Sequence, residues 1–115
     1  MSKIIFILYI LFSFQPQCRE EIFVNGIEEL PVITNMQNMP ESLIYFDTNK
    51  GRFVQSKIVG NQSISQIKDF YDNILPNLGW EKIDKNKFSR KSELMEIRYY
   101  KYNKDSIAEF NIKPK

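Results

Sequence analysis

The stretch SISQIKDFYDNILPNLGW, Ser63 to Trp80, decides the fold. Ser63 is followed three positions later by Gln66, the spacing of a capping box. In that motif each side chain satisfies the other residue's free backbone N–H. Ile67, Phe70, Tyr71, Ile74 and Leu78 then recur at i, i+3, i+4, i+7 and i+11, which is one apolar stripe. Lys68, Asp69, Asp72 and Asn73 lie largely off it. Pro76 has no N–H to give, so it kinks or tightens the last turn. Gly79 accepts the left-handed conformation that closes a helix, and a Schellman ending sets Trp80 on Leu75. The spacing predicts an amphipathic helix over 63–78.

Outward from the helix the period changes to two. Ser42–Thr48 (SLIYFDT) has the β-branched and aromatic content of a strand. Asn49-Lys50-Gly51 reads as a turn, and Arg52–Val59 as its partner strand, with Val54, Ser56 and Ile58 on one face. Downstream, Trp80–Asp84 is a short strand, and Phe88-Ser89-Arg90 opens the next. Leu94–Tyr102 puts Met95, Ile97 and Tyr99 on one face and Glu96, Arg98 and Tyr100 on the other. Ser106–Ile112 puts Ala108, Phe110 and Ile112 together. The expected order is β-β-α-β-β-β. Alternating strands imply a sheet with one buried face, and one helix is wide enough to cover it. The expected class is α+β: a two-layer sandwich of an antiparallel, meandering sheet with one helix on one face. This domain is placed at 42–115. Residues 19–41 carry Gly26, Pro31, Pro40 and scattered apolar positions without a period, and read as an extended N-terminal arm.

Residues 1–18 have the layout of a secretory signal peptide: Lys3, an apolar run from Ile4 to Phe14, then polar residues with Pro16. The run is shorter than the roughly 20 apolar residues of a spanning helix. The protein is therefore expected in the periplasm or secreted. Cys18 stands where a lipoprotein's acylated cysteine would be, though Gln15, Pro16 and Gln17 depart from the usual preceding residues. Membrane association is expected only through the signal peptide or lipidation of Cys18.

Composition narrows the chemistry. The 115 residues include no histidine, one cysteine and 16 basic against 14 acidic residues. The commonest general base and metal ligand is thus missing. One cysteine allows neither an internal disulfide nor a cysteine-based zinc site. A net charge of +2 supplies no global attraction to nucleic acid. No metal or cofactor is expected.

Phe70-Tyr71, Leu75-Pro76-Asn77-Leu78-Gly79-Trp80, Phe88-Ser89-Arg90 and Glu93-Leu94-Met95-Glu96-Ile97 form a further pattern. It resembles a group of small, uncharacterised exported alphaproteobacterial proteins with a helix ending in L-P-x-L-G-W, then F-x-R and a β-hairpin. The resemblance covers the chain from about Ser42 and implies the fold and the envelope location. It implies no activity, cofactor or catalytic residue.

Three functional classes follow. The first is a non-catalytic module that binds another envelope protein or a peptide. Its interaction face is Arg98, Tyr100 and Tyr102, with Phe53, since Tyr and Arg are favoured at interface hot spots; strand addition at an open sheet edge is the related mode. The second is a small-ligand or lipid carrier with a cavity between helix and sheet, lined by Ile67, Phe70, Ile74 and Tyr99. The third is an enzyme using the carboxylate pairs Asp69/Asp72 or Glu93/Glu96, which acid–base work would need in a dry cleft. The first is preferred, with no catalytic residues.

Overall fold

The computed structural model describes residues 21–115. The signal peptide expected at 1–18, with Cys18, lies outside them. The described residues form β1 (Met36–Asn38), a 3-10 turn (Pro40–Ser42), β2 (Ile44–Thr48), β3 (Gly51–Gly60), α1 (Ile64–Asn77), β4 (Glu81–Asp84), β5 (Lys87–Arg90), β6 (Glu93–Tyr102) and β7 (Asp105–Pro114). All seven strands join one antiparallel sheet in the order β1-β3-β7-β6-β5-β4. β2 pairs with residues 51–55 of β3 and β1 with residues 58–60, so the two lie end to end along one edge. The described residues are α+β, a single antiparallel sheet with one helix.

Two strands depart from the expected order. β1 precedes the β2–β3 hairpin, and the stretch after the helix makes four strands, not three. β1 has no sequence period because it is only three residues long. It pairs because Gly60 lets it come close: a Cβ there would stand 2.1 Å from the Asn35 carbonyl oxygen. Between β4 and β5, Asn86 takes a positive φ of 59°, which closes the hairpin within two residues.

α1 starts as its first residues dictate. The Ser63 hydroxyl accepts the Gln66 N–H at 3.1 Å, while the Gln66 side chain pairs with that hydroxyl rather than with the Ser63 N–H. Half of the expected capping box is thus made. The C-terminus is a full Schellman motif: Trp80 N–H donates to Leu75 O (3.0 Å), Gly79 N–H to Pro76 O (3.1 Å), and Gly79 has φ 89°. Ile67, Tyr71 and Leu75 are fully buried, with Phe70, Ile74 and Leu78 flanking them. The stripe is centred one position off the spacing expected, on an i, i+4, i+8 row.

The inner sheet face supplies the rest of the core: Val54 and Ile58 of β3, Phe88 of β5, Met95 and Ile97 of β6, and Ala108, Phe110 and Ile112 of β7. Trp80 is buried under the helix end. The same core takes in Val24, Ile27, Leu30 and Ile33. From sequence the folded domain begins at Ser42; the core begins at Val24. Residues 22–33 fold back on themselves, with Val24 N–H bonded to Leu30 O and Val32 N–H to Ile22 O. The Tyr71 hydroxyl fastens this segment to α1, donating to Pro31 O (2.8 Å) and accepting from Ile33 N–H (3.2 Å). Its apolar spacing of three fits neither a strand nor a long helix, so no periodicity announces it.

Candidate functional site

The sheet has a second face, turned away from α1. Register assigns its residues. Phe46, Phe53, Lys113 and Leu94 form one row across β2, β3, β7 and β6; Ile44, Gln55, Asn111, Glu96 and Lys87 form the next. These rows, with Ile83 of β4, line an open groove of about 380 Å³. Phe46 stacks on Phe53 with ring centroids 5.0 Å apart. Ile44, Phe46 and Ile83 are each about half exposed, at 52%, 51% and 53%. Large apolar side chains grouped on a solvated face are not accounted for by packing of the core. Glu96, Lys87 and Lys113 give the rim its charge, and neither lysine has an ion-pair partner among the described residues.

The third row is ionic. Glu109 is buried on central strand β7 between Lys57 (3.7 Å) and Arg98 (3.4 Å), and accepts from Asn111 Nδ2 at 2.9 Å. Its two cationic neighbours, one from each flanking strand, cover it. This stripe divides the apolar groove from the other end of the face, where Tyr100 opposes Ile107.

The residues singled out from sequence fall as follows. Arg98, Tyr100 and Tyr102 share the outer face. Arg98 is tied to Glu109 and lies 5.9 Å from the Tyr100 ring centroid; Tyr102 is 63% exposed. Phe53 is on the same face, beyond the ionic stripe, in the groove. Glu93 and Glu96 are on opposite faces of β6. Glu93 accepts from Arg52 (2.7 Å) and lies 3.9 Å from Arg90, whereas Glu96 is at the groove. The Glu93 carboxylate holds the Arg52 guanidinium's pKa above its ordinary value, against the opposing effect of burial. Asp69 is solvated, and Asp72 is 3.4 Å from Lys82. Neither carboxylate pair converges on a cleft. Among the described residues there is no group of three potential metal ligands, and no helix long and apolar enough to cross a membrane. Ile67 is fully buried, and Phe70, Ile74 and Tyr99 pack against the core. Burial pushes the phenols of Tyr71 and Tyr99 up, the latter helped by Asp72.

The F-x-R motif has a structural role. Arg90 lies 4.4 Å over the Trp80 ring, donates to Leu78 O at 3.0 Å and is ion-paired to Glu29. It joins the helix end, β5 and the N-terminal segment.

Sequence reasoning missed Ile44, Ile83, Leu94, Lys87 and Lys113. The available signal was the run Leu43-Ile44-Tyr45-Phe46, which is apolar on both faces rather than alternating.

The two sheet edges also differ. β4 is four residues long, carries Glu81, Lys82 and Asp84, and has a register shift between Lys82 and Asp84. Short, charged and bulged edges resist pairing. β2, five residues long, has no register shift and one charged residue, Asp47. Thr48 opposes Gly51 across a two-residue loop, so Thr48, Phe46 and Ile44 carry the ladder to β3. Tyr45 and Asp47 therefore turn their N–H and C=O groups away from β3, to an edge that no other described strand pairs. No protein-family model, curated protein or solved structure matches the chain.

Proposed function

We propose that the protein is a non-catalytic binding module of the cell envelope, periplasmic or secreted. It takes an extended chain segment along the β2 edge and seats that segment's alternate side chains over Ile44 and Phe46 in the groove. The observation that carries this reading is a strand edge with a single charge and no register shift running beside an apolar groove. In strand addition, main-chain hydrogen bonds supply affinity, and pockets for every second side chain supply specificity. The two-layer arrangement, with α1 and residues 22–33 on one face, leaves the other face for this use. Arg98, Tyr100 and Tyr102 extend it beyond the ionic stripe.

A photo-crosslinking amino acid at Phe46, in the chain expressed in its own envelope, tests the reading. A discrete protein adduct is expected from position 46 and none from Asp69 on the solvated side of α1. Absence of an adduct at 46, or equal labelling at 69, refutes it. The groove volume favours one further reading, since small-molecule sites start at about 300 Å³. A carrier role there, on the face opposite the one expected from sequence, predicts saturable binding of laurate that Phe46→Asp abolishes.

A further inference from the structure

We infer that the segment received at the β2 edge is β2 of a second copy of this chain; the inference rests on the strand-addition reading above. Two antiparallel strands related by a two-fold axis perpendicular to their sheet keep every residue on its own face. Facing residue numbers must then sum to an even number, so odd residues meet odd ones. Tyr45 and Asp47 are the β2 residues whose backbone groups turn outward, so the parity required by symmetry is the parity the hydrogen bonds require.

Side chains select the register. Centred on Tyr45, the pairing sets Ile44 of each copy against Phe46 of the other on the groove face, and Asp47 against Leu43. Centred one residue earlier, Asp47 meets Glu41; centred one residue later, Asp47 meets Tyr45 and Ile44 meets Thr48. Only the Tyr45 centre makes two apolar pairs and keeps Asp47 away from an acid. It also brings the Glu41 end of each strand beside the Lys50 end of the other, which is complementary in charge. Leu43, Ile44, Tyr45 and Phe46 are 39–52% exposed in the single chain, and the pairing covers part of each. The partner's Ile44 and Phe46 complete the groove wall that β2 leaves open. A five-residue edge falls short of the ~800 Å² per partner of a standard interface, so the dimer is weak and concentration-dependent.

Disulfide trapping tests the register. In full-length chain carrying Cys18→Ser, Tyr45→Cys places two sulfurs across a hydrogen-bonded pair about 5.5 Å apart at Cα, within disulfide reach. Asp47→Cys places them about 13 Å apart along the strands. Under mild oxidation Tyr45→Cys is expected to form covalent dimer at least ~10-fold faster than Asp47→Cys. The sedimentation coefficient of the unmodified chain should rise with concentration, and Ile44→Lys should abolish the rise while leaving the circular dichroism spectrum unchanged. A chain monomeric at every concentration overturns the inference, as does equal trapping at 45 and 47 or a dimer that survives Ile44→Lys. If the Phe46 crosslink captures a different protein while trapping fails, the inference falls and strand addition stands. If neither occurs, both fall.

Discussion

Tyr71→Phe removes one oxygen atom and leaves the packing intact. The ring stays edge-on to Phe110 and Phe70, with centroids 5.0 and 4.9 Å away, so no cavity opens. What is lost is the hydroxyl that bridges Pro31 O and Ile33 N–H. Leaving a buried polar group unpaired costs about 1–3 kcal/mol. Ile33 is buried, so its N–H bears the full penalty; Pro31 is only half-buried, so water recovers part of its loss. The expected destabilisation is about 2–3 kcal/mol in urea unfolding. The Ile33 amide should also exchange faster than those of β6 and β7, because residues 22–33 are what the hydroxyl holds. A change below about 0.5 kcal/mol with unaltered Ile33 exchange would refute the claim that this segment belongs to the core.

The same phenol, with Tyr99, sets an alkaline limit. Both are raised in the fold by burial, so the unfolded chain releases their protons first. Their contribution is complete below about pH 10 and falls as pH rises above it, by at most about 1.4 kcal/mol per unit for each tyrosine; urea midpoints between pH 8 and 11 check this, and Tyr71→Phe should flatten the slope. Trp80→Ala should cost about 3–5 kcal/mol, and Leu78→Ala less because Leu78 is half-buried; equal melting temperatures would contradict the packing. Gly79→Ala should cost about 1–2 kcal/mol, since φ is 89° there and the new Cβ meets Arg90 Cδ at 3.4 Å. Arg90→Ala should cost about 2–3 kcal/mol through the Leu78 carbonyl and the Trp80 face, and Arg90→Lys should recover less than half, as it lacks the planar fork.

Local signals read well where a residue's role depends on near neighbours. Ser63, Gly79 and Trp80 act within one helix turn, and Met95, Ile97 and Tyr99 alternate on one long strand. These positions behave as spacing predicts. The N-terminal segment behaves otherwise. Val24, Ile27, Leu30 and Ile33 reach the core through a turn conformation whose value lies in Tyr71, some 40 positions away. Glu109 is comparable: alternation places it opposite Phe110 and so toward solvent, but β7 is a central strand, and Lys57 and Arg98 bury it from either side. Strand position in the sheet is not a property of any short window.

The outer groove was hidden for the same reason, and this bears on what it does. Ile44 and Phe46 sit on a strand that sequence marks only as apolar; that it is an edge depends on β7, some 60 residues later, taking the other side of β3. Placed there, the two residues bury about half their surface and add little to the core. They do add exposed apolar area beside backbone that no described strand pairs, the combination most prone to unwanted pairing. The chain blunts its other edge at β4 with charge, brevity and a register shift. Folding therefore accounts for β4 and gives no account of Ile44 and Phe46. On the proposed reading a partner strand would account for them, because it would pair the outward Tyr45 backbone and take part of that apolar surface out of water in one step.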